Sequence, residues 1–197
     1  IQSAELLIIH PESLGAAAEK LAQHRSNHDG YVTHTVEVTK IYHEFGGGKA
    51  DPSAIRAFVR MVKSRSDALK YVLLLGDGSF DHRNRYELGN NLIPVYETKS
   101  LNPINAFPSD DFYGILFSEE DDPLMGALDV AVGRLPVADL TEAMAVVDKL
   151  IQYDTQPTHL GNWRNRLLFV ADDEDNMLHT RDADQIADQI GDQFPQF

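Results

Sequence analysis

Short apolar runs alternate with helix-patterned segments along the chain, and this alternation limits the fold more than any other feature. AELLIIH (Ala4 to His10) and YVLLL (Tyr71 to Leu75) are almost continuously apolar, as strands are when helices cover both faces of a parallel sheet. Between them, apolar residues recur at helical spacing from Glu12 to about His28 and from Ile55 to Val62. We therefore predict an α/β fold with three layers, a mainly parallel, Rossmann-like sheet carrying helices on both faces.

Helix and strand signals continue to the end of the chain. Asp51 and Pro52 predict the start of one helix, and Thr141 predicts the cap of another. A strand beginning at RLLFVADDED, after a polar linker, predicts a second unit, followed by a helix from about Thr180 to Asp192. The predicted domains are residues 1–160 and 161–197. Four further segments predict strands: YVTHTVEVT (31–39), LIPVYE (92–97, a short edge strand), DDFYGILF (110–117) and LDVAVGRLP (128–136).

Composition excludes several classes of function. The chain has 17 basic and 31 acidic residues, a net charge of −14, so a nucleic-acid partner is not expected. It has no cysteine, which excludes disulfides, thiolate metal sites and a cysteine nucleophile within this chain. Its apolar runs are shorter than the ~20 residues of a membrane helix. No signal peptide is visible, and we expect an excised fragment or a processed form of a longer protein.

The stretch YVLLLGDGSFDHRNR resembles a catalytic loop but lacks the partners that each chemistry needs. A metallophosphatase would add an Asp-x-His and a Gly-Asn-His, whereas here no Asp-x-His precedes and GNN lacks its histidine. A nucleophilic Ser79 would need G-x-S-x-G, and the sequence is D-G-S-F-D. The eight histidines are scattered, so His24 and His28 are interpreted as surface or packing residues rather than zinc ligands. Asp77 is interpreted as a turn residue.

Several segments, taken together and in order, carry a family resemblance. They are YVLLLGDGSFDHRNR, NLIPVYETKSLNPINAFPSDDFYGIL, DVAVGRLPV, EAMAVVDKLIQYD and WRNRLLFVADDEDNMLH, of which SDDFYG, GRLPV and VADDED are the most specific. From about Leu6 to Gln193 the chain resembles the gingipain-type cysteine peptidases. The resemblance implies two adjoining α/β units, the second caspase-like and carrying a Gly-His-Gly histidine and a downstream cysteine. This chain has neither motif, so it matches the non-catalytic first subdomain and the start of the catalytic one.

Within that family the resemblance points to the surface sortases of type IX secretion, which remove C-terminal secretion signals from exported proteins. It implies an outer membrane-associated, extracellular location at the cell surface. The implied partners are the catalytic subdomain of the same polypeptide, protein substrates bearing the signal, and other secretion-system components. The isolated chain is predicted to be inactive. A non-enzymatic α/β binding or interaction domain remains an alternative, and a metal-dependent phosphoesterase is a weaker one.

The resemblance also supplies candidate site residues. The loop from Asp172 to Asp182 corresponds to a wall of the substrate pocket, so Asp172, Asp173 and His179 are candidate substrate-binding residues. This loop departs from the family pattern, and no arginine preference is carried over; an acidic loop that only caps the next helix is the alternative. No cofactor is required. Because family members bind structural calcium, Asp121 and Asp129 are candidate oxygen ligands for calcium.

Overall fold

The computed structural model describes residues 3–82, 85–87, 91–98, 102, 106–118, 122–159 and 161–193. Its main sheet is parallel throughout, with the strand order β2-β1-β3-β6. A separate antiparallel pair is formed by β4 and β5. The strands are β1 (Leu6–His10), β2 (Thr33–Glu37), β3 (Tyr71–Leu75), β4 (Tyr96–Glu97), β5 (Pro108–Ser109) and β6 (Ala131–Leu135).

Helices alternate with these strands and continue after the last of them. They are α1 (Gly15–His28), α2 (Val38–Phe45), α3 (Pro52–Arg65), α4 (Leu140–Thr155) and α5 (Glu174–Gln193), with 3-10 turns at Glu12–Leu14, Asp110–Tyr113, Pro157–His159 and Asn162–Asn165. Asp51 caps α3 as predicted, because its Oδ1 accepts the Ser53 amide at 2.7 Å and Pro52 occupies the first helical position. Among the described residues, no helix combines the length and apolar content needed to cross a bilayer.

The core lies on both faces of the sheet, as the continuous apolar runs predict. Leu7 and Ile9 of β1 pack with residues of α2 and α3 on one face. Leu6 and Ile8 pack with α1 and α4 on the other. Each buried leucine or isoleucine side chain contributes about 1.5–3 kcal/mol relative to an exposed one. The three-layer, mainly parallel α/β prediction is confirmed.

Two predicted strands near the middle of the chain differ from the structure. The strand expected at 31–39 ends at Glu37, where α2 begins, because Val38, Ile41 and Tyr42 recur at helical spacing and are buried against the sheet. The strand expected at 110–117 is a 3-10 turn over Asp110–Tyr113, capped by Ser109 Oγ, which accepts the Asp111 amide at 3.2 Å. Tertiary packing outweighs the β propensity of both segments.

The chain divides into two compact units, Ile1–Ile151 and Gln152–Phe197. The first holds the sheet. In the second, RLLFV runs without strand pairing among the described residues, and Leu168 and Val170 are 87% and 85% exposed. A strand forms only when a neighbour completes its hydrogen bonds. Asp175 to Met177 have φ between 50° and 60°, so the regular right-handed part of α5 begins after them. The domain boundary at 160/161 stays a prediction.

Candidate functional site

The loop after β3 directs its polar side chains to its own backbone. Asp77 Oδ1 accepts the Gly78 amide at 2.9 Å, and Ser79 Oγ accepts the Asp81 amide at 3.1 Å. Asp81 Oδ2 in turn accepts the Tyr86 amide at 2.7 Å. Ser79 and Asp81 are only 6% and 7% exposed. These contacts fit the interpretation of Asp77 as a turn residue. The hydroxyl of Ser79 is buried and hydrogen-bonded, so it is not exposed to solvent as a nucleophile would be.

The crevice where open parallel sheets bind ligands is filled by the protein itself. That crevice lies at the carboxyl ends of strands where the order of connection reverses, here between β1 and β3. Gly76 leaves β3 at φ 148°, and a Cβ there would meet Leu92 at 3.2 Å, Ile93 at 3.4 Å and Pro11 at 3.5 Å. The amides of Leu92 and Ile93 both donate to Asp77 O at 3.0 Å. The loop residues Leu92 and Ile93 therefore pack against this end of the sheet, where a ligand would otherwise bind.

Arg134 of β6 binds groups at the same carboxyl end of the sheet. Its Nε and Nη2 donate to the two oxygens of Asp110 at 2.8 and 2.7 Å. Its Nη1 donates to Gly76 O and Ile93 O at 2.9 Å each, and Nη2 also donates to Pro94 O at 3.3 Å. The side chain is 11% exposed. All five guanidinium protons thus have acceptors, which is what a buried arginine needs.

Sequence reasoning missed this network, although one signal for it was present. An arginine inside the otherwise apolar strand AVGRL indicates a buried charge that needs a partner. The neighbouring Gly78 is also required, because a Cβ there would lie 2.7 Å from Ile93 O and 3.1 Å from Arg134 Nη1. Tyr113 OH donates to Pro94 O, which the arginine shares. Arg134 therefore joins the ends of two strands to the loop between them.

A second arginine holds the segment that follows Asp110 from the helix side. Arg56 of α3 donates to Ile115 O through Nε at 2.8 Å and through Nη2. Its guanidinium lies 4.8 Å from the ring centre of Phe112, which stacks on Tyr96 at 4.1 Å. Burial is the main cause that lowers the pKa of Arg56. The SDDFYG motif is thus held by one arginine from the sheet and one from a helix.

Asp129, one of the two calcium candidates, lies in the turn before β6. Asp129 Oδ2 accepts the amides of Leu116 and Phe117 at 2.7 and 3.1 Å. Ser118 Oγ donates to Met125 O at 2.6 Å and closes the same turn. Asp121 lies outside the described residues. Asp129 therefore has a role in fixing the turn, and its role as a calcium ligand stays a prediction.

Two of the three substrate-binding candidates share one surface. Asp172 and His179 line an open concavity in the second unit together with Phe169, Val170, Ala171, Asp182, Ala183 and Ile186. Thr180 Oγ1 donates to Asp172 O at 2.7 Å, and His179 Nε2 lies 3.5 Å from Asp175 Oδ2. Asp173 is exposed and is not one of the lining residues. The structure brings Asp172 and His179 together; substrate binding by all three stays a prediction.

Comparison with known proteins identifies the class. The model of peptidase family C25 matches residues 1–197, so the chain belongs to this family of gingipain-like cysteine peptidases. The chain is similar to the crystal structure of dimeric latent PorU from Porphyromonas gingivalis, with 27% sequence identity and a TM-score of 0.73 over 90% of this chain and 18% of that one. The resemblance predicted from the sequence is confirmed.

A second solved structure supports the fold alone. The chain aligns with the complex of Porphyromonas gingivalis RgpB pro- and mature domains at 21% identity and a TM-score of 0.56, over 76% of this chain and 29% of that one. No curated protein matches the sequence. The chain spans 18% and 29% of the lengths of these two structures.

Proposed function

We propose that this chain is the supporting first subdomain of a PorU-like surface cysteine endopeptidase, together with the beginning of its caspase-like catalytic subdomain. The observation that carries the proposal is the similarity to PorU over 90% of the chain. The parent protein removes C-terminal secretion signals from cargo of the type IX system at the outer membrane surface. Its partners are those substrates and other components of the secretion system.

The composition of the chain supports a non-catalytic role for this part. The family mechanism needs a thiolate activated by an imidazole, and the 197 residues contain no cysteine. The carboxyl end of a parallel sheet often carries catalytic groups, but here it is occupied by Arg134 and by the loop that contains Ile93. The first unit therefore acts as a scaffold, and its main partner is the catalytic subdomain of the same polypeptide.

The second unit exposes a segment that has the composition of a buried strand. Leu168 and Val170 belong to an apolar strand sequence, yet both side chains are almost fully exposed. A strand of this composition is stable when another strand and a helix layer cover it. We propose that further chain of the parent supplies that cover, and that Asp172, Asp173 and His179 form part of its substrate-side wall.

Cleavage of a reporter tests the proposal. The reporter is a soluble protein ending in a C-terminal secretion signal, and mass spectrometry identifies the cleaved bond. The parent polypeptide is expected to release the signal and to lose this activity after alkylation with iodoacetamide, whereas the 197-residue chain leaves the reporter intact. In the parent, Asp172→Asn and His179→Ala should raise KM. Asp184→Asn should not, because Asp184 lies on the same helix as His179 but outside the concavity.

Other results would favour the alternatives. A parent that contains no reactive thiol and cleaves no reporter would leave the non-enzymatic binding domain as the better interpretation. Manganese-dependent phosphatase activity that disappears in Asp77→Asn would support the phosphoesterase. The bond between Asp77 Oδ1 and the Gly78 amide already gives that carboxylate a structural partner, and membership of a peptidase family favours the first proposal.

A further inference from the structure

The last turn of α1 brings two histidines together. His24 and His28 are four residues apart in HRSNH, and their rings stack with centroids 5.2 Å apart and planes inclined by 26°. Their ligand nitrogens lie within 4.8 Å of each other. Zn–N bonds are about 2.0–2.1 Å long, so both rings can hold one ion once side-chain rotation brings the two nitrogens within about 4 Å of each other. Two histidines at this spacing share one helix face, as zinc-binding helices require.

A carboxylate orients one of the two rings. His28 Nδ1 lies 2.7 Å from Asp29 Oδ1, while Asp29 Oδ2 accepts Arg25 Nη1 at 3.0 Å. Metal-binding histidines commonly donate their second ring N–H to such a carboxylate, which fixes the tautomer and leaves the other nitrogen for the metal. His28 Nε2 is therefore presented as the ligand atom.

The carboxyl end of α1 favours a cation, and the imidazole ligands determine which kind of cation binds. His28 is the last residue of a 14-residue helix, whose carboxyl end carries a partial negative charge. His24 is half-buried and His28 is exposed, so an ion has access from solvent. Imidazole nitrogen favours copper, nickel and zinc over calcium and magnesium. We propose that His24 and His28 form a binding site for a divalent transition-metal cation, with Asp29 as its positioning residue.

This site is independent of the proposed peptidase role and of the candidate calcium ligand Asp129. The experiment is a calorimetric titration of the full chain, purified without a polyhistidine tag, with zinc chloride and copper chloride separately. One ion per chain is expected, with copper binding more tightly than zinc. Asp29→Asn should weaken binding about 10- to 100-fold. His24→Ala and His28→Ala should each weaken it at least as much, while circular dichroism shows an unchanged fold.

His43 provides the matched control, because it is also an exposed histidine in the last turn of a helix. His43→Ala is expected to bind zinc as tightly as the wild-type chain. Electron paramagnetic resonance of the copper complex should show two coordinated nitrogens, and one fewer in either ligand variant. The proposal is wrong if the wild-type chain shows no saturable binding, if His43→Ala weakens binding as much as His28→Ala, or if both ligand variants bind with wild-type affinity.

Discussion

Arg134 and Asp110 form a two-point ion pair, in which Nε and Nη2 of the arginine donate to separate carboxylate oxygens at 2.8 and 2.7 Å. Asp110 belongs to SDDFYG and Arg134 to GRLPV, two of the segments on which the family resemblance rests. The remaining guanidinium protons bind main-chain carbonyls at the end of β3 and in the loop that fills the sheet edge. The pair thus joins these two motifs in the folded chain.

Removing the arginine should be among the most destabilising single changes in the first unit. Arg134→Met removes the side-chain donor of Asp110 and of two carbonyls, Gly76 O and Ile93 O. Pro94 O keeps the hydrogen bond from Tyr113 OH. We expect the free energy of unfolding to fall by about 3–5 kcal/mol. Arg134→Lys should recover only part of this loss, because an ammonium group cannot reproduce the planar fork. Urea unfolding followed by circular dichroism measures both variants.

The exposed pair of Lys70 and Glu5, 2.8 Å apart, is the control for that experiment. Lys70 is 55% exposed, and solvent screens such pairs, so Lys70→Met should leave the urea midpoint almost unchanged. If Arg134→Met had the same urea midpoint as Lys70→Met, the hydrogen bonds of Arg134 would not stabilise the carboxyl end of the sheet.

Two glycines should differ sharply in their tolerance of a methyl group. A Cβ at Gly114 would lie 2.7 Å from both Val130 O and Val132 Cγ2, whereas one at Gly133 would meet only Leu73 Cδ1, at 4.0 Å. Gly114→Ala is expected to lower the free energy of unfolding by about 1–3 kcal/mol, because the added methyl group overpacks the site. Gly133→Ala, in the edge strand, should be neutral. Thermal melts of both variants test this, and equal melting temperatures would contradict it.

Two buried tyrosines have different hydrogen bonding. Tyr113 OH donates to Pro94 O, whereas Tyr42 OH is buried without a hydrogen-bond partner among the described residues. Tyr113→Phe should therefore cost about 1 kcal/mol, and Tyr42→Phe should be neutral or stabilising. Urea unfolding of the two variants at neutral pH provides the comparison. A larger loss for Tyr42→Phe than for Tyr113→Phe would show that the Tyr42 hydroxyl has a partner.

The same tyrosines predict the alkaline limit of stability. Burial raises the pKa of both Tyr42 and Tyr113 above the ordinary value of 10.0. Above about pH 10 the unfolded chain therefore loses protons that the folded chain keeps, and stability falls as pH rises. The slope is about 1.4 kcal/mol per pH unit for each tyrosine. Unfolding measured from pH 9 to pH 11.5 should show this fall, with a shallower slope in either Phe variant; a flat profile would contradict it.

Asp129 can be tested for both of its roles. Asp129→Ala removes the acceptor of the Leu116 and Phe117 amides, which should cost about 1–3 kcal/mol in EDTA. If the carboxylate also binds calcium, the wild-type melting temperature rises with added calcium, by the equivalent of about 2.7 kcal/mol at 100 times the dissociation constant. The variant should show no such rise. An equal rise in both proteins would place any calcium elsewhere.

Much of the fold follows from local sequence. The apolar runs of β1 and β3 predict strands covered on both faces, since every residue in such a run must leave water. Asp51 and Pro52 predict the start of α3, because capping depends on neighbouring residues alone. The helix α2 was missed although Val38, Ile41 and Tyr42 have helical spacing, because the preceding β-branched residues favour a strand equally well.

The sequence by itself determined the layered α/β fold, the family and the absence of a thiol nucleophile, since these depend on periodicity, motifs and composition. The tertiary structure decided which distant residues meet. Asp110 and Arg134 are 24 positions apart, and their pairing depends on the order of strands in the sheet. The spacing of His24 and His28 is visible in the sequence, but the stacking of their rings and the bond to Asp29 depend on side-chain rotamers, which are fixed only when the helix is formed and packed.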